Sequence, residues 1–448
     1  MNVAVQKTKA ERAIGEHFAT VNGRLVEAAW AKSLRSDAFA HFQAFGLPHR
    51  RIEQWKYTDL RERLKEAFPP PLHAAGAPAS WRQDVERALG PLAAIEAYRL
   101  VFLDGSFSAI LSDVEPLLQW AEFVTLAQAL RGDGARVRER LVTRGLDAAG
   151  AVRALNLAFM SDGAALTVRP GARVDRPVML VFARVADTPA AITTRNIVTV
   201  GSGAELSLIE VHVALPGASP GGQENAATDL LLQRGANVRH VKCLPAGADG
   251  VHLSNTDAEL GEGSFLRAFQ MTLSGALVRN QLAIAFKGKG AKLDTSGAML
   301  AAGSQHFDTT LFVDHEAPGG ISRELYKSVL EGRARAVFQG KIIVHPGAQK
   351  TDGKQMAQGL MLSPEAEFDS KPELEIYADD VACGHGSTCA EIDPDLVFYC
   401  RSRGISEKEA RALLVRSFIA EAVDKVEEEP VREALMALAE GWLQQRTT

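Results

Sequence analysis

The sequence predicts a mainly β fold: a β-solenoid core over residues 161–395, between a mostly helical N-terminal region, 1–160, and a C-terminal helical segment, 396–448. Three observations predict it. From about Ala165 to Ala382 apolar side chains recur at every second residue, the period of a strand. Turns bearing glycine interrupt these runs at near-constant intervals. Both ends of the chain have helical composition.

Residues from about Lys7 to Phe68 are dominated by Ala, Glu, Arg and Leu, with proline only at Pro48, and are expected to be helical. Pro69-Pro70-Pro71 cannot continue a helix, and LHAAGAPAS after it reads as a flexible linker. In RLVFLDGSFSAIL, Asp104-Gly105 between two apolar runs predicts a short hairpin near 98–111. From about Leu126 to Met160 the composition is helical again.

Within the core, Leu206 and Leu208, then Ile209, Val211 and Val213, alternate with one apparent register shift. Leu282, Ile284 and Phe286, and later Leu374 and Ile376, alternate likewise. The turns RPGARVDR, GSGAELSL, QRGANVRH, GEGSFLRA and GKGAKLDT carry Gly171, Gly203, Gly235, Gly263 and Gly290, spaced 27–32 residues apart. A later set (EGRARAVF, HPGAQKTD, SPEAEFDS) returns at shorter steps. A unit of two or three strands, with glycine where φ must be positive, reads as one coil of a solenoid. A β-sandwich also uses short strands and glycine turns; the regular spacing favours the solenoid.

At the C-terminus Ser406-Glu407-Lys408-Glu409 is a capping box. Leu414, Phe418 and Ala422 follow at four-residue spacing, an apolar stripe that needs a partner, and Pro430 opens a second helix through Trp442.

With 448 residues, 46% of them hydrophobic, the chain can bury a large core in two or three structural units. A net charge of −5 argues against a nucleic-acid grip. The N-terminal MNVAVQKTKAERAIGEHF has no signal-peptide apolar region, and runs such as Val178–Ala183 are too short to span a bilayer. Four cysteines are too few for a disulfide scaffold, so a cytoplasmic protein without nucleic-acid or membrane partners is expected.

Cys383-Gly384-His385 lies where the last strands end, and residues two apart on a strand share a face, so thiol and imidazole can look out together. These donors suit zinc, iron and Fe–S clusters, yet a closed site needs about four ligands. Cys389 is a candidate third ligand. Either the pair is ordinary, or a second chain completes the site. Cys243 and Cys400 read as small packed hydrophobes, and His315 and His345 as solitary polar residues near turns. The sequence contains no phosphate-binding P-loop, nucleophile elbow or paired-histidine zinc motif, so any nucleotide hydrolysis belongs to a partner.

Five segments together resemble one family. They are EQWKYT (Glu53–Thr58), ALNLAFMSDG (Ala154–Gly163), Phe338–His345, KPELEIYADDVACGHGST (Lys371–Thr388) and FYCRSRGIS. The family is that of the Fe–S cluster assembly proteins SufB and SufD, and the wording is closer to SufD. The resemblance implies a right-handed parallel β-helix core with helical domains on both sides. It also implies an accessory scaffold, not an enzyme, that pairs with a SufB-like paralogue and binds a SufC-like ABC ATPase through its C-terminal helices, with Leu414 and Phe418 expected at or near that contact. A nascent cluster would form at the paralogue interface, fed indirectly by a sulfur donor system and with a role in iron supply. No cofactor would be held stably by the isolated chain, iron or an Fe–S cluster being transient in the complex. A homodimer of the isolated chain is left open. His385 and, by position, Cys383 match the family's interface residues. SufB carries its candidate cluster cysteine in a Gln-Cys-Asp-Ser segment; here Ala357-Gln358-Gly359-Leu360 has none. Two rival readings are a carbohydrate-active β-helix enzyme using Asp379-Asp380, and a stand-alone metal-binding module.

Overall fold

A computed structural model of the chain describes residues 6–24, 26–71, 81–142, 147–245, 247 and 249–446. Residues 72–80 of the expected linker lie outside the described residues. From Ala164–Val168 to Ala382–Glu391 successive strands fall alternately into two sheets, and each pairs in parallel with the strand two places on. That connectivity is a parallel β-solenoid of about eight turns, two strands to a coil. A sandwich would instead join sequence neighbours as antiparallel hairpins.

The coil length is visible in the register. Ala191 pairs with Gln223, Gln223 with Val251, Val251 with Leu277, Leu277 with His306, and His306 with Arg335. The same corner of five successive coils is a glycine turn: Gly171, Gly203, Gly235, Gly263 and Gly290 all have φ between 62° and 71°, where a Cβ is unfavourable. Their amides bond up the column, Gly203 N–H to the Arg234 carbonyl at 2.8 Å and Gly235 N–H to that of Glu262 at 2.8 Å. The later turns return at shorter steps because they alternate between the two corners. Gly332 lies between strands Ile321–Leu330 and Arg335–Val344, and Gly347 between Arg335–Val344 and Asp352–Met361.

The apparent register shift after Leu208 is absent, for Glu205–Ala214 is one continuous strand. Leu206 and Leu208 point into the solenoid, whereas Ile209, Val211 and Val213 face outward beneath the C-terminal helices. Both faces are buried, so apolar residues appear in both registers.

Those helices, Glu407–Val423 and Glu429–Gln444, begin where the sequence places them, the first with the Ser406/Glu409 capping box formed. They bury Val415, Ile419, Leu435 and Trp442 over Phe269, Leu300 and Val329. At about 1.5–3 kcal/mol per buried side chain, this face suffices to hold them on the sheet. The other sheet is covered by Lys9–Arg24, Ala29–Phe45 and Ala151–Phe159, with Phe39 and Leu155 clustered with Ile197, Leu253 and Leu277. The expected helix to Phe68 stops at Phe45, where Gly46 takes φ 70° and Pro48 follows; beyond it only short turns form. The helical stretch 126–160 is likewise split into Leu126–Arg131 and Ala151–Phe159, the break opening at Gly132 and Gly134. The hairpin forms, Tyr98–Leu103 against Ser106–Phe107, with Asp104 and Gly105 both at positive φ.

Candidate functional site

Two of the sequence segments prove to be clamps. In EQWKYT, Trp55 is fully buried, with the Arg279 guanidinium 4.0 Å over its ring. Arg279 also pairs with buried Asp308, which accepts from the Thr58 hydroxyl, and donates to the Gln54 carbonyl at 2.6 Å. Glu53 reaches Lys371 of the last coil at 2.8 Å. In ALNLAFMSDG, the Asn156 amide donates to the carbonyls of Thr194 and Asn225, while Asp162 accepts from the amides of Phe107, Ala127 and Gly163. Each segment ties the N-terminal region to the solenoid.

The remaining segments build the terminal coil. Strands Glu367–Ile376 and Ala382–Glu391 are the last of their sheets, each paired on one side only. The Ala382 amide bonds back to the Thr351 carbonyl at 2.9 Å, so by alternation the amides of Cys383, His385, Ser387 and Cys389 face the open edge. In the companion strand the Glu367 amide bonds back to Ala334, which puts Pro372 where a missing N–H costs nothing.

Cys383, His385 and Cys389 therefore share one face, and that face is the inward one. Cys383 packs against the solenoid core, and His385 continues the row through Glu324 and Gln355. They do not look out from the side of the solenoid; His385 and Cys389 are exposed because no further coil covers them. At about 3.3 Å per residue, Cys383 and His385 are about 6.6 Å apart along the strand, close enough to share an ion, while Cys389 is about 13 Å beyond His385. Burial pushes the Cys383 thiol up, against the Gly353 amide and the Lys354 charge, and burial also raises Cys389. Each is a thiol at neutral pH until a metal displaces its proton.

Of the expected ATPase contact, Leu414 is half-buried, and Phe418 lies against the solenoid, with the Lys327 ammonium 4.2 Å from its ring centroid. Ala422 is buried and its carbonyl accepts from the Ser296 hydroxyl. The stripe thus already has a partner in the outer sheet face. The exposed apolar residues of this region are Leu396, Phe398, Tyr399 and Leu413. Cys243 is a fully buried hydrophobe, its thiol raised by burial. His315 is buried and stacked on Phe286, and exposed His345 bonds Asp314 at 2.7 Å.

A polar cluster inside the solenoid escaped the sequence reading. Glu210 and His212 follow Leu206 and Leu208 on the inward face, and His240, Lys242, Glu224 and His252 meet them from adjacent strands. The available signal was the polar pairs Glu210-x-His212 and His240-x-Lys242 in inward register. Glu210 is completely buried; burial alone would raise its pKa, but Lys242 at 3.0 Å and the imidazoles of His212 and His240 hold it well below the usual range. Among the described residues, His212, Glu224 and His252 are the one group of three such side chains whose ligand atoms lie within 4.8 Å of one another. Among the described residues the terminal pair gathers no such third donor.

The fold is that of a parallel β-solenoid protein with helices at both ends, and sequence comparison gives the family. Residues 16–180 match the SufBD protein N-terminal region, and residues 182–418 match the SufBD core domain of the SUF system for FeS cluster assembly. The chain belongs to the SufBD family of Fe–S cluster assembly proteins. It is 31% identical, over 85% of its length and 84% of the relative's, to an iron-sulfur cluster assembly SufBD family protein of Synechocystis sp.. It is 29% identical to the iron-sulfur cluster assembly protein SufD of Escherichia coli, over 88% of each chain. Among the described residues no helix is long and apolar enough to cross a membrane.

Proposed function

We propose that this chain is a SufD-like scaffold, not a catalyst, whose open solenoid end docks on a SufB-like paralogue. Cys383 and His385 then present a thiolate and an imidazole to iron or a nascent cluster whose other donors come from the partner. The iron and the cluster are cargo of the complex. The observation that carries this reading is the terminal coil: two ten-residue edge strands with inward-facing donors left uncovered at one end. An edge of this length pairs readily with another strand, and β-augmentation of both sheets would continue the coil into a second chain.

The C-terminal helices are the proposed seat of the ABC ATPase. Phe418 and Ala422 face the solenoid, so the docking surface falls to Leu413, Leu414 and the exposed Leu396, Phe398 and Tyr399. ATP-driven movement of the ATPase would be transmitted through these helices to the sheet they cover.

Co-expression of His385→Ala with the paralogue and the ATPase tests the site. A complex recovered in normal yield with iron and acid-labile sulfide strongly depleted is the expected result. Undiminished iron and sulfide would exclude His385 as a donor.

A further inference from the structure

The buried cluster in the middle of the solenoid has the construction of a metal site. The Nδ1 atoms of His212 and His252 each lie 3.1 Å from the same oxygen, Oε2 of Glu224. Ligands about 2.1 Å from one ion, subtending about 95°, are separated by that distance. Arg184 approaches the other carboxylate oxygen at 3.4 Å, leaving Oε2 to the imidazoles. The two rings are nearly perpendicular, at 75°, with centroids 4.6 Å apart, so their nitrogens converge from different strands.

The surroundings complete the arrangement. His212 donates its far nitrogen, Nε2, to the Glu210 carboxylate at 2.8 Å, and Glu210 is itself fixed by Lys242 and by the Thr228 hydroxyl at 2.8 Å. A carboxylate behind a histidine sets the tautomer and raises the basicity of the nitrogen facing a metal. With Nε2 carrying the proton, the His212 Nδ1 lone pair faces a carboxylate oxygen, a contact relieved either by a second proton on the ring or by a bound metal ion. Phe182 stacks on the ring and holds its orientation. His252, 5% exposed, aims Nδ1 at the same oxygen and has no partner for its buried Nε2. A surface hollow lined by Arg184, Gly222, Ser274 and the three ligands gives access. A Cβ at Gly222 would come within 2.6 Å of Arg184 Nη1, so glycine keeps this wall thin.

We propose that His212, Glu224 and His252 bind one first-row divalent transition-metal ion. Two imidazoles and one carboxylate on one side of an ion is a donor set for Fe(II), Zn(II) or Co(II), with open positions for water. The site lies several coils from Cys383 and His385 and does not depend on the role proposed for them.

Co(II) titration of the isolated full-length chain, stripped with chelator and followed by visible d–d absorption and equilibrium dialysis, tests it. One Co(II) per chain is expected, retained in a Cys383→Ser/His385→Ala variant and lost in His252→Gln and Glu224→Gln variants that keep the wild-type circular dichroism. Glu210→Gln, with all three ligands intact, should weaken binding by about 10–100-fold. If Glu224→Gln does not fold, His252→Gln decides, since its Nε2 has no hydrogen bond to lose. The proposal is overturned if the stripped chain takes up no Co(II), a shared proton then holding the cluster together. It is equally overturned if uptake survives His252→Gln and disappears with Cys383 and His385.

Discussion

Glu324 is a carboxyl group enclosed in the solenoid beside Gln355, and burial raises its pKa to about 8, against hydrogen bonds from Gln355 and Ser322. Between the ordinary carboxyl value of 4.5 and about 8, the folded chain therefore keeps a proton that the unfolded chain has released. Its contribution to stability is complete below the lower value and declines as pH rises through the upper one. At about 1.4 kcal/mol per unit, the full loss is on the order of 5 kcal/mol. Urea denaturation at pH 5 and pH 9 should show the decline in the wild type and a flatter profile in Glu324→Gln. Arg279 makes the opposite kind of demand, as a buried charge already matched by Asp308. Arg279→Ala strands that carboxylate and uncovers Trp55, and should cost about 3–5 kcal/mol in the same assay. At this scale the sequence marked the segment around Trp55 without revealing its purpose, because the partners, Arg279 and Asp308, are more than two hundred residues away. It placed Cys383 and His385 on one face through the strand period. It could not say that the face was inward, since that depends on the coil beneath.

Secondary-structure elements here do two separable jobs, and single substitutions can tell them apart. Ile419 is fully buried between helix Glu407–Val423 and the sheet, so Ile419→Ala should destabilise the isolated chain by about 2–5 kcal/mol. Phe398, 71% exposed, should be silent in that measurement, while Phe398→Asp reduces co-purification of the ATPase. Ser387→Pro removes an amide that faces the open edge and none that pairs inward; circular dichroism should be unchanged and binding of the paralogue lost. The glycine corners of the solenoid were readable because positive φ leaves few alternatives to glycine. Strand Glu205–Ala214 was misread as shifted because helices cover its outer face. The same misreading hid Glu210 and His212, whose inward position follows only from an unbroken strand.

The whole molecule is a stack with unequal ends. At its start, Ser106–Phe107 and Ala121–Thr125 close the two sheets with short antiparallel strands, a common way to blunt an edge. At its finish two full-length strands remain open, and KPELEIYADDVACGHGST, one of the five segments that carry the family resemblance, runs through both. The β-solenoid was legible as a whole because each coil repeats the same turn chemistry. The asymmetry of its ends was not, being a matter of which strand lacks a successor. Hydrogen exchange on the chain alone and with its SufB-like partner is the most direct test of the account. Amides within 367–376 and 382–391 should exchange quickly in the isolated chain and become protected in the complex, with those of Asp352–Met361 little changed. A stable complex that leaves both terminal strands exchanging as before would contradict it.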